Sequence, residues 1–210
     1  MNASTLKRIG APINVGYNPA WTQFSPNGRL LAMGSNYGRP GLAMASARTG
    51  RVLWSNRLIS VVTALAFSAD GHQLVAGTAT GSVETFDVAT GHRLAGPALA
   101  AQGLVIRVAY APGGRTIMTS ATDGTVRLWE TAGLRPLGEP LSATANEWIW
   151  AAFSSGGDRI LALDPAGRVF SWPATVQAWL RRACSIVQRE FTPYERTVYS
   201  ISPHSPRACS

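Results

Sequence analysis

Apolar and polar positions along this chain fall into short blocks rather than one long period. Between residues 105 and 143 the blocks are "VIRVAY" (105 to 110), "APGGR" (111 to 115), "TIMTSA" (116 to 121), "TDG" (122 to 124), "TVRLWE" (125 to 130), "TAG" (131 to 133) and "RPLGEPLSA" (135 to 143). Runs of about six residues rich in Val, Ile, Thr and aromatics, bounded by Gly, Pro and Asp, read as strands joined by tight turns. In the last run Pro136 and Pro140 have no N–H to give to a ladder, so that run suits only an outer edge. The block therefore predicts four antiparallel strands.

The same block recurs in register every 43 residues. Phe24, Phe67, Tyr110 and Phe153 hold that spacing, as do Gly28, Gly71, Gly114 and Gly157 four residues later. Leu31, Leu74, Ile117 and Ile160 continue it, and Phe86, Trp129 and Trp172 close it. Four copies are expected, at about 18–60, 61–103, 104–146 and 147–173, the last with three strands only. The first is the most altered: its turn is widened to "NYGRPG" (36 to 41), and Ala43 stands at the spacing where the others carry an aromatic. A sheet of four short strands cannot bury its faces alone, so equal units must stack side by side, which is the plan of a β-propeller.

"FSPNGRLLAMGS", "FSADGHQLVAGTATGSVETFDVATG" and "YAPGGRTIMTSATDGTVRLWETAG" resemble WD40 repeats. The family's usual form is a strand ending in F-S-P-D-G, a second strand, D-G, a third strand ending in W-D, and T-G. Here "FD" (86 to 87), "WE" (129 to 130) and "WP" (172 to 173) stand for the W-D pair, no Gly-His pair opens a repeat, and only Asp123 keeps the acid of the second turn. The resemblance implies an all-β fold of WD40-type blades. It gives Phe67, Gly71, Phe86, Asp123, Trp129 and Trp172 structural roles and assigns the chain a protein-binding task. With the family's side-chain network reduced, apolar packing is expected to hold the blades.

Both ends depart from the repeat. "KRIGAPI" (7 to 13) is similar to the outer strand "LRPLGEPL" (134 to 141), so residues 1–17 are expected to supply an outer strand to an incomplete blade, as the amino-terminal strand of a WD40 ring commonly does. Four blades are few for such a ring, whose usual number is about seven. Three arrangements meet this: the chain is the carboxy-terminal piece of a longer protein, it closes as a small ring, or two copies join into eight blades. After Trp172 the period changes. Val176, Leu180, Ala183, Cys184, Val187 and Phe191 recur at helical spacing, with Arg181, Arg182, Ser185, Gln188 and Arg189 largely opposite, and "TPYE" (192 to 195) is a helix start. Residues 174–210 are thus expected to form a helical tail, one that resembles the end of actinobacterial WD40 proteins. Cys184 and Cys209 both lie in it, either bridged or as two reduced thiols.

Composition narrows the function. The net charge is +8, and all basic residues but Lys7 are arginines without a basic run, which makes nucleic acid an unfavoured partner. No segment reads as a signal peptide or a membrane span, so a cytoplasmic location is expected. His72, His92 and His204 form no metal-ligand spacing with the two cysteines, and no G-x-S-x-G or phosphate-loop motif is present. No cofactor, metal or catalytic residue is assigned. The expected function is a non-catalytic protein-interaction scaffold, from a larger signalling or regulatory protein. The rival readings are a degenerate remnant with no selected partner, an enzyme, and a nucleic-acid binder. Tyr37 and Arg39 in the widened turn, and Glu147 and Trp148 at the entry of the fourth copy, are the candidate contacts for a protein partner, Tyr and Arg being enriched at interface hot spots.

Overall fold

The structure is a computed structural model and describes residues 12–16, 18–35, 41–58, 60–142, 147–175 and 185. Tyr37, Arg39, Cys184 and Cys209 lie outside these residues.

Every described element is a strand, and the strands form four antiparallel sheets in sequence order. The first blade holds β1 (Pro19–Phe24), β2 (Leu30–Ser35), β3 (Gly41–Ser46) and β4 (Val52–Arg57). The second holds β5 (Val62–Phe67), β6 (Gln73–Thr78), β7 (Ser82–Asp87) and β8 (Arg93–Leu99). In the third, β9 (Val105–Tyr110), β10 (Thr116–Ala121) and β11 (Thr125–Glu130) are followed by an outer strand in two pieces, β12 (Arg135–Pro136) and β13 (Leu141–Ser142). Both pieces pair with β11, and the break between them spans Leu137 to Pro140. The fourth holds β14 (Trp150–Phe153), β15 (Arg159–Leu163) and β16 (Val169–Pro173).

The turn between the first two strands is built alike in the first two blades. Ser25 and Ser68 each donate to the side-chain oxygen two residues on, Asn27 at 2.9 Å and Asp70 at 2.5 Å. Gly28, Gly71, Gly114 and Gly157 take φ between 69° and 73°, a conformation that disfavours any residue with a Cβ. The register of the sheets is also shared. Leu74 pairs with Phe86, Ile117 with Trp129 and Ile160 with Trp172. In the first blade the partner of Leu31 is Ala45. The residue in the aromatic's place is therefore Ala45 and not Ala43, because the widened turn inserts two residues ahead of β3 and shifts the spacing by the same amount.

Between blades the packing is apolar and serial. One cluster joins Ala32, Leu42 and Met44 of the first blade to Leu74, Ala76 and Phe86 of the second. The next joins Val75 and Val83 to Ile117 and Trp129, and the third joins Met118, Val126 and Leu128 to Ile160, Ala162 and Trp172. Fully burying a side chain of this size contributes about 1.5–3 kcal/mol. Close approach depends on glycine at two positions. A Cβ on Gly34 would lie 2.5 Å from Val62 Cγ1, and one on Gly77 2.5 Å from Val105 Cγ1. Polar links supplement this: Thr63 Oγ1 donates to Val105 O at 2.5 Å and Asp123 Oδ2 accepts from Gln102 N at 2.7 Å, while within the third blade Trp129 Nε1 donates to Thr119 Oγ1 at 3.0 Å.

The ends are treated differently. Ile13 and Val15 pack on Met33, Ala43 and Ala45, covering the outward flank of the first blade. The fourth sheet has three strands among the described residues. The helical tail expected over 174–210 is not supported by any described element; of that segment only Ala174, Thr175 and Ser185 are described.

Candidate functional site

The innermost strands β1, β5, β9 and β14 stand side by side around a central cavity of about 550 Å³. Repetition sets residues of equal rank at one level of its wall: Trp21, Ala64, Arg107 and Trp150, each 43 residues from the next. Two indoles thus flank one cation, with an alanine leaving room between. Trp21 is 43% and Trp150 45% exposed, unusual values for tryptophan in a packed sheet. Three residues further along their strands, Phe24, Phe67 and Tyr110 also line the cavity.

Arg107 is the one charged residue in this lining. Its guanidinium carbon sits 5.5 Å from the ring centroid of Trp150, within cation–π range. Its Nε is buried with no hydrogen-bond partner, a state that costs about 1–3 kcal/mol while it persists. The Tyr110 hydroxyl is likewise buried and unpaired. Burial first, and the charge of Asp70 second, hold its pKa well above the ordinary phenol value, so it stays a neutral donor. Arg107 and Trp150 also border a second depression of about 280 Å³, along the outward flank of the fourth blade, lined by Ala152, Leu161, Leu163 and Val169. The two hollows share one cation and one indole.

Of the partner-binding residues singled out from sequence, Glu147 and Trp148 are described, and they lie elsewhere. Trp148 follows Val62 and Val105 in the 43-residue spacing, and both of those are fully buried against the glycine of the preceding blade. At the third junction the glycine becomes Ser120, and Ile149 is the buried residue, donating its N–H to Ala121 O at 3.2 Å. Trp148 is left 42% exposed. Glu147 Oε2 lies 3.6 Å from Arg168 Nη2, and Arg168 Nε donates to Asp164 Oδ2 at 2.6 Å. Burial alone would raise the pKa of Asp164, but the hydrogen bonds from the Arg168 backbone and guanidinium outweigh it and keep the carboxyl below its ordinary value. This surface carries Glu147 and Trp148 but not the hollow. Sequence reasoning passed over Trp21, Arg107 and Trp150, although the spacing that aligned the repeats places them on one level.

Chemically, the hollow offers two indole surfaces, a guanidinium and an unpaired phenol, which is equipment for holding a ligand. Among the described residues no group of three or more His, Cys, Asp or Glu is placed to hold a metal ion.

Comparison with known proteins agrees with the architecture. The WD40 family, "WD domain, G-beta repeat", matches residues 90–130, which run from the end of one blade through the third strand of the next. Among curated proteins, none matches the sequence. The fold is similar to the crystal structure of the computationally designed Ika4 protein, with a TM-score of 0.67 at 19% identity over 80% of this chain and 99% of that one. The designed Ika8 protein gives 0.61 at 21% identity, covering 72% of this chain and 44% of that one. Sqt1 from Chaetomium thermophilum gives 0.65 at 20% identity, covering 73% and 45%. The chain thus spans under half the length of the last two. Together the matched repeat and these neighbours support a WD40 β-propeller.

Proposed function

We propose that the chain is a non-catalytic protein–protein interaction scaffold and that its partner docks on the concave face. WD40 repeats generally mediate such contacts. The observation that carries the reading here is the pair of exposed indoles, Trp21 and Trp150, flanking Arg107 on the wall of one cavity. Tryptophan and arginine are the residue types that concentrate binding energy at interfaces, and a stacked sheet frame holds them with little conformational freedom to lose. The same reading takes the chain as part of a larger signalling or regulatory protein working in the cytoplasm. No described helix is long and apolar enough to cross a membrane.

The test pairs the native protein with Trp21→Ala/Trp150→Ala, checked for unchanged circular dichroism. Proteins captured by the native chain are identified by mass spectrometry, purified and titrated one by one. At least one should bind the variant tenfold or more weakly. If every partner binds both proteins equally, the concave face is not the docking surface.

A further inference from the structure

We propose that Arg107 and Trp150 receive an acidic–apolar peptide segment of a partner protein. A carboxylate side chain would meet Arg107, and a neighbouring aliphatic side chain would lie in the groove on the outward flank of the fourth blade. This deepens the interaction reading above and rests on it.

Three observations converge. Arg107 Nε has no partner, and among the described residues neither hollow has an aspartate or glutamate in its lining. The indole of Trp150 covers one face of the guanidinium, so a carboxylate would approach along its edge. That edge is the part that meets two carboxylate oxygens side by side. The adjoining groove is apolar, being formed by Ala152, Leu161, Leu163 and Val169.

The groove also has the shape of half a blade junction. Leu161 continues the spacing of Ala32, Val75 and Met118, and Val169 that of Val83 and Val126, all fully buried by the next blade. In the fourth blade Leu161 is 45% and Val169 70% exposed. The surface is thus preset to accept side chains from an extended segment. A second copy of this chain would have to offer the outward flank of its first blade, and Ile13 and Val15 already cover that flank. A polyanion such as RNA needs many cations, and a single guanidinium beside an apolar trough does not supply them.

The experiment uses the full chain labelled with nitrogen-15 and follows the indole N–H signals of Trp21 and Trp150. The probes are a capped peptide, acetyl-Leu-Glu-Val-Leu-amide, its Gln twin, and inorganic phosphate. The expected result is binding of the Glu peptide at least tenfold tighter than the Gln peptide. That ratio should fall to about one in Arg107→Gln, and Val169→Ser should weaken both peptides while Arg107 still discriminates. Because Val169 is exposed, that variant keeps the fold even if Arg107→Gln does not. Equal binding of the two peptides overturns the proposal, as does phosphate saturating the same signals at the same concentration. So does a native dimer, seen by sedimentation, that Val169→Asp converts to monomer. Should the peptides fail while Trp21→Ala/Trp150→Ala still weakens a captured partner, the interaction reading stands and the acidic segment falls.

Discussion

The second and fourth blades carry the same flank in two states. Val75 and Val83 of the second blade are fully buried, and Gly77 beside them has no side chain, so Val105 of the next blade can come in close. In the fourth blade the same ranks are Leu161, Val169 and Leu163, at 45%, 70% and 43% exposure. The chemistry of the first two positions is unchanged, since both remain aliphatic. What differs is the neighbour. A repeat specifies only its own half of a junction, and burial, with its stability, arrives only when another surface supplies the other half. Where the first two blades carry Gly34 and Gly77 at one of these ranks, the fourth carries Leu163.

Substitutions that hit a completed junction should therefore exceed those at the open flank. Trp129 is 2% exposed and hydrogen-bonded to Thr119, whereas Trp172 is partly buried and stacks on Phe170 at 5.8 Å in the terminal blade. We expect Trp129→Ala to lower stability by about 3–5 kcal/mol, the range for emptying a buried aromatic site. Trp172→Ala should cost about half as much, read from urea midpoints at constant slope. Equal losses would mean that the terminal blade is packed as tightly as the interior.

Gly77→Ala comes next. Its Cβ would stand 2.5 Å from Val105 Cγ1 and 2.9 Å from Val105 Cβ, so β9 must shift or Val105 must leave its rotamer. Overpacking of this kind costs about 1–3 kcal/mol. Leu163→Ala, at the equivalent rank on the open flank, should stay within about 0.5 kcal/mol, as exposed substitutions do. If the two losses match, the close approach between the second and third blades is not what makes glycine necessary there.

Glu84 sharpens the contrast by charge. It is 3% exposed, and burial raises its pKa, only partly offset by Arg93, whose Nε lies 3.0 Å from Oε2. An acid whose folded pKa is raised binds its proton more tightly when folded. Native stability therefore falls as pH rises from the unfolded value of 4.5 through the raised one, and stays lower above it. Glu84→Gln lacks this titration. The variant should gain on the native protein between pH 4 and pH 7 in parallel denaturation series, and a constant gap across that range would show that Glu84 ionises as it does in water.

Much of this was legible from spacing. The strands "VIRVAY", "TIMTSA" and "TVRLWE" coincide with β9, β10 and β11, because β-branched runs between glycine turns leave few alternatives. The broken outer strand follows from Pro136 and Pro140. Insertions blurred the rest. The widened turn moved the aromatic's place from Ala43 to Ala45, and the loss of glycine at Ser120 let Ile149 displace Trp148 from the junction. The cavity was harder to foresee for a different reason. Trp21, Arg107 and Trp150 occupy ranks that vary from blade to blade, so they carry no repeat signature, and only the side-by-side stacking of the sheets brings them together. Candidates were therefore drawn from loops, where Glu147 and Trp148 meet Arg168 and solvent instead of the hollow.

The smallest effect is the most direct probe of the open flank. Val169, at 70% exposure, gains little from its present surroundings, although its counterparts Val83 and Val126 are fully buried. Val169→Thr keeps the β-branched shape that suits a strand and replaces one methyl by a hydroxyl. In the isolated chain it should shift stability by no more than about 0.5 kcal/mol, whereas Val83→Thr should cost about 1–3 kcal/mol for a hydroxyl buried without a partner. A loss at position 169 as large as that at 83 would mean that something covers this flank in solution, and the comparison between the two blades would then measure the covering surface rather than its absence.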